Sequence, residues 1–186
     1  MSEMTRPNMV RVSLWSFAAV LLLAPAVAMR FTTEVNWSVP DFAFAAIMLA
    51  MVGAAVELFV RRANGRAYIA GAAIMIFGTF FLVWVNLAVG IIGSERNGAN
   101  LLYAGVVAIV VGGATMSRAR PPGLVRTCVA AAALQAFIGL VAVAAGWGTD
   151  GPIWPRDVIG VTAILVATWL GAAALFARAA RDQARR

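Results

Sequence analysis

The stretch at residues 67–93, AYIAGAAIMIFGTFFLVWVNLAVGIIG, decides the fold. It contains no charged residue, and at 1.5 Å of rise per residue about 20 residues already cross the hydrocarbon layer of a bilayer. It shows none of the alternation of a barrel strand. Backbone amides in lipid must be satisfied within their own segment, so such a run is a helix.

Five further runs of near-spanning length flank it, at residues 12–29, 41–60, 99–117, 124–147 and 157–177. The chain of 186 residues is 62% hydrophobic and only 12% charged, too few charges to cover the surface of a soluble domain. The expectation is an all-α, polytopic transmembrane helix bundle forming one integral membrane domain over residues 1–186. No linker or low-complexity tail divides it.

Orientation follows from arginine, the sole basic residue type in the chain. Arg6 and Arg11 precede the first run. Arg61, Arg62 and Arg66 follow the second, Arg118, Arg120 and Arg126 the fourth, and Arg178, Arg181, Arg185 and Arg186 the sixth. The other three connectors carry Arg30, Arg96 and Arg156 alone. A split of twelve against three places both termini in the cytoplasm by the positive-inside rule. The acids Glu34, Asp41, Glu95, Asp150 and Asp157 all fall on the opposite, outer side. This distribution between apolar runs also argues against nucleic acid as the reason for the net charge of +7.

The first run also fits a cleavable signal peptide, with a basic start, the apolar VSLWSFAAVLLLAPAVA and small residues at its end. Its length favours retention as a first helix, kinked at Pro25; cleavage would leave five helices facing the same way. Glycines at heptad spacing, Gly71 and Gly78, Gly105 and Gly112, Gly139 and Gly146, fall on the third, fourth and fifth runs. They are expected to be helix-packing positions, because small residues let backbones approach in lipid.

Without His or Lys, and with the single Cys128, the chain lacks the residues for most zinc sites, Schiff-base chemistry and Ser-His or Cys-His nucleophile pairs. No catalytic residue, metal site or cofactor is expected. Among the polar residues within the apolar runs, Glu57 and Gln135 stand out. Glu57 lies one turn before Arg61, an ion pair snorkelling to the interface. Gln135, eleven residues into the fifth run, is expected to make an interhelical hydrogen bond of about 0.6 kcal/mol.

The remaining polar feature follows the apolar surplus of residues 67–93. Asn86 should stand near the outer interface, with Glu95, Arg96, Asn97 and Asn100 in the next turn. Asn97 or Asn100 could cap the fourth helix, and Trp84 and Tyr103 suit the interfacial aromatic belt. Capping and belt leave Asn86 and Glu95 without a role. The expectation is an outer-face cluster in which they meet Asn36, Trp37 and Asp41 of the first outer loop. Adjacent residues in a turn rarely face each other, so Arg30 or the Trp37 N–H is expected at Glu95 rather than Arg96.

Residues 29–45, MRFTTEVNWSVPDFAFA, residues 81–103, FLVWVNLAVGIIGSERNGANLLY, and the arginine-rich WLGAAALFARAAR resemble a family of small bacterial, proteobacterial-type inner-membrane proteins of unassigned function. The family pattern reads GIIGSE followed by Asp-Asn-Pro-Ala-Asn. This chain keeps Gly90, Gly93, Ser94, Glu95, Asn97, Ala99 and Asn100 but has Arg96 for the Asp and Gly98 for the Pro, which weakens any cation cage there. The resemblance implies an inner-membrane location and no particular activity.

Two roles follow. The favoured one is a structural or accessory protein that packs against lipid and presents its outer loops to a membrane partner or a second copy. The other is a small carrier or channel with an entrance lined by Glu34, Asn36, Asp41, Asn86, Glu95 and Asn100. An enzyme using outer carboxylates on lipid headgroups ranks below both.

Overall fold

A computed structural model of the chain describes residues 6–63, 65–149, 151 and 153–185; the outer acid Asp150 and the terminal Arg186 lie outside them. The described residues are all-α. In order they form α1 (Arg6–Ala28), α2 (Val39–Arg62), α3 (Arg66–Ala88), a 3-10 turn (Gly98–Leu102), α4 (Tyr103–Met116), α5 (Pro121–Ala144) and α6 (Arg156–Ala184). Six spans are long and apolar enough to cross a membrane, the fourth including the 3-10 turn. The chain is a multi-pass membrane protein.

Its contacts divide it into two compact units, Met1–Leu58 and Phe59–Arg186, with the border inside α2. In the first unit, a Cβ added to Gly53 would lie 2.9 Å from the Trp15 ring, so α1 and α2 meet where a side chain is missing. α2 opens with a capping box and a hydrophobic staple. Asp41 Oδ2 accepts from the Ser38 N–H at 2.7 Å and from its hydroxyl at 2.6 Å, and Trp37 packs edge-on against Phe42 at 5.3 Å.

In the second unit α6 packs against both α3 and α5, and α4 against α5. At one end Phe59, Tyr68 and Phe176 form an aromatic cluster with centroids 5.6 to 6.4 Å apart. Tyr68 donates to Ala119 O at 2.8 Å, holding an α4–α5 turn in which Arg118 and Ala119 both have positive φ. α5 also carries exposed apolar side chains where lipid would lie: Phe137 is 61% exposed and Leu140 69%.

Several helix limits differ from those read in the sequence, among them α1, which starts at Arg6, and α5, which ends at Ala144. α3 ends at Ala88 rather than near Gly93, because the chain reverses at Gly90. α5 starts at Pro121, since proline suits the first turn of a helix although it breaks an apolar run. α6 continues to Ala184 on a buried stripe that includes Phe176 and Ala179, where hydropathy alone stops at residue 177.

Candidate functional site

Two polar regions of the second unit are built in opposite ways. The first is the turn between α3 and α4. At Gly90 φ is +74°, and a Cβ there would sit 2.3 Å from the carbonyl carbon of Ser94, so this reversal admits glycine only. The turn wraps around Asn100, which is 5% exposed. Asn100 Oδ1 accepts from the N–H of Ile91 at 3.1 Å and of Ile92 at 2.9 Å. Its Nδ2 donates to Ile92 O at 3.3 Å and to Ser94 O at 2.7 Å. One side chain therefore satisfies four backbone groups of a segment that forms no helix of its own.

Asn86 joins the same turn, donating through Nδ2 to Asn100 O at 3.0 Å. Asn97 caps the 3-10 turn by accepting from the Ala99 N–H at 3.0 Å. Asn100 is thus a clamp on the preceding loop rather than a helix cap. Glu95 is corrected in a different sense: its carboxylate lies 3.6 Å from the guanidinium of the adjacent Arg96, with both side chains well exposed. An ion pair of that kind contributes little stability. A Cβ on Gly148, in the α5–α6 loop, would be 2.6 Å from Gly93 N, so the α3–α4 and α5–α6 loops touch backbone to backbone.

The first-loop residues have local partners. Trp37 and Asp41 serve the start of α2 as staple and capping box, and Asn36 is exposed. Glu57 reaches across to α1, where it accepts from Arg11 and, at 3.1 Å, from Trp15 Nε1. Those partners lie more than forty residues away, beyond the local helical pairing that the sequence suggests.

The second region lies among α4, α5 and α6. Gln135 is fully buried midway along α5, and neither its Nε2 nor its Oε1 has a hydrogen-bond partner among the described residues. The expected interhelical hydrogen bond is absent there. The same holds for the buried polar atoms of three residues that the sequence did not single out: Tyr103 Oη, Thr162 Oγ1 and Trp169 Nε1. Their positions are linked. Gly139, one turn after Gln135, lets α6 approach so closely that a Cβ there would be 2.6 Å from Thr162 Oγ1. The Tyr103 phenol stands close to the Thr162 hydroxyl, although neither oxygen has a partner in hydrogen-bond geometry among the described residues. Trp169 lies two turns after Thr162 on the same face of α6 and stands against Gly78 of α3. The seven-residue spacing of Thr162 and Trp169 was a signal in the sequence, but threonine and tryptophan are ordinary in membrane helices.

The glycines divide as well. A Cβ would meet Phe176 at 3.2 Å from Gly71, Thr168 at 2.7 Å from Gly78, Leu134 at 3.3 Å from Gly105, and Thr162 from Gly139. Gly112 faces open space, and the close approach on α4 belongs to Gly113, whose Cβ would lie 2.2 Å from Thr127 Oγ1. Gly146 follows α5 with φ +68° and ends the helix.

Neither region brings together a nucleophile with a base. No group of three or more His, Cys, Asp or Glu is placed to hold a metal ion among the described residues. Compared with protein-family models, with curated proteins and with solved structures, the chain shows no match.

Proposed function

We propose that the protein is a structural or accessory component of the bacterial inner membrane, with both termini in the cytoplasm and the α3–α4 turn outside. The observation that carries this reading is Asn100. All four of its side-chain hydrogen bonds end on its own loop, so the most specific polar feature of the sequence is spent on holding shape. The arginine distribution supports the sidedness, and the resemblance to small inner-membrane proteins supports the location. A role as a small carrier is the second reading, favoured by the unsatisfied groups of Gln135, Thr162 and Trp169.

Stability and function, measured together, test the reading. Glu95→Gln and Arg96→Gln should complement a deletion strain fully and melt like the parent. Asn100→Leu should fail only in proportion to its loss of folded protein. A stable Glu95→Gln that fails to complement would make the turn a binding site. Sidedness is tested separately with a Cys128→Ser background. Gly98→Cys should react with an impermeant thiol reagent added to spheroplasts and Ala63→Cys should not; the reverse pattern would invert the map.

A further inference from the structure

The seam among α4, α5 and α6 holds five polar atoms on four side chains, Tyr103 Oη, Gln135 Nε2 and Oε1, Thr162 Oγ1 and Trp169 Nε1, none with a hydrogen-bond partner among the described residues. Tyr103, Gln135 and Trp169 are each at most 1% exposed. One unsatisfied buried group is tolerable. Five together, in the span of a membrane protein, would cost as much as the net stability of a typical domain. Lipid cannot meet the need, since it offers these atoms neither donors nor acceptors. Mutual pairing of Tyr103 and Thr162 would still leave both ends of the Gln135 amide and the Trp169 indole.

The groups also have an order. Tyr103 opens α4 directly after the Asn100 turn, and the other orphaned atom in this part of the molecule, Asn86 Oδ1, belongs to the residue that donates to that turn. Thr162 lies in the second turn of α6, and Trp169 is about 10 Å further along the helix. Past Trp169, the neighbours on the same face are Ala172, Ala173 and Phe176, all buried and apolar. The polar row therefore runs from the α3–α4 turn to the middle of the bundle and stops.

The row offers donors and acceptors but no charge. Asp157, the nearest acid on α6, accepts from the Val158 N–H beside it. A charged solute would find no counter-ion there. The helices approach closely at Gly139, so an occupant must be small. Water is the neutral donor and acceptor of that size, and it commonly bridges buried groups that face one another without bonding.

We propose that this seam is a binding site for a short file of water molecules, entered from the end that carries the α3–α4 turn and closed at Trp169. Tyr103 and Thr162 share the outer water, and the Gln135 amide and the Trp169 indole hold the inner end. The proposal is independent of which side of the membrane the turn faces, so it can stand or fall apart from the proposed topology.

Hydroxyl-radical footprinting of the full chain in nanodiscs tests it, because radicals formed from bound water oxidise the side chains beside that water. Met116, 87% exposed, and Met75, 2% exposed, serve as reference residues of one intrinsic reactivity. Trp169 and Tyr103 should be oxidised readily, while Met75 stays unmodified and Met116 reacts. The double variant Gln135→Leu, Thr162→Val should reduce Trp169 oxidation severalfold and leave both methionines unchanged. Trp169 and Tyr103 as inert as Phe176 would overturn the proposal. So would Met75 reacting as fast as Trp169, since solvent would then reach the interior without a seam, or an unchanged Trp169 rate in the double variant.

Discussion

Asn100 and Gln135 are both carboxamides buried in the same helical unit, and they differ in what surrounds them. Asn100, in the 3-10 turn, faces a preceding non-helical segment whose backbone groups need partners, and it satisfies four of them. Gln135 stands in a helix whose backbone is already satisfied, and its buried amide has no hydrogen-bond partner among the described residues. A polar side chain that closes on its own loop is structure. One left open beside other open groups is a site. On the proposals above, the turn serves folding and the seam serves binding.

Asn100→Leu should be the most damaging way to probe the closed region. It strands the N–H groups of Ile91 and Ile92 and the carbonyls of Ile92 and Ser94, a loss of about 3 kcal/mol or more, readable as thermal aggregation in mild detergent. A melting curve like the parent's would mean that the turn recruits solvent at no cost. Next in size is a packing control. Gly113→Ala should cost about 1–3 kcal/mol by pressing on Thr127, whereas Gly112→Ala should be neutral or slightly stabilising. Equal behaviour of the two would show that α4 does not touch α5 through Gly113.

Asn86→Leu should cost about 1 kcal/mol, because it removes one hydrogen bond but also one buried unsatisfied oxygen. A loss as large as that of Asn100→Leu would extend the clamp into α3. Glu95→Gln should be the smallest change, within about 0.5 kcal/mol, since its ion pair with Arg96 is open to solvent.

How legible these regions were in the sequence depended on the range of the interactions involved. The six spans could be read because each is a local property of length and hydropathy. Gly90 and Asn100 could be read as unusual, but not as clamp and hinge, because hydropathy carries no hint that the chain reverses before residue 93. The Asp41 box lay in the S-x-x-D spacing of Ser38 and Asp41, a local pairing that leaves Asp41 no need of the outer-face cluster. Glu57 was given its neighbour on α2, and the sequence could not show that Arg11 and Trp15 of another helix reach it as well. Gly112 and Gly113 cannot be told apart by period alone, since one residue turns the helix by about 100°. The seam was least visible. Its residues come from three helices, and the feature that matters is a hydrogen bond each of them does not make.

The contrast between the two carboxamides is tested most directly by melting Asn100→Leu and Gln135→Leu side by side in one detergent. The account predicts that Asn100→Leu loses several degrees, at roughly 2–4 °C per kcal/mol for a chain of this size, while Gln135→Leu stays close to the parent, because lost bonds to water offset the gain from removing a buried amide. A Gln135→Leu protein markedly more stable than the parent, with Asn100→Leu unchanged, would contradict it: the seam would then be dry and the turn would not be a clamp.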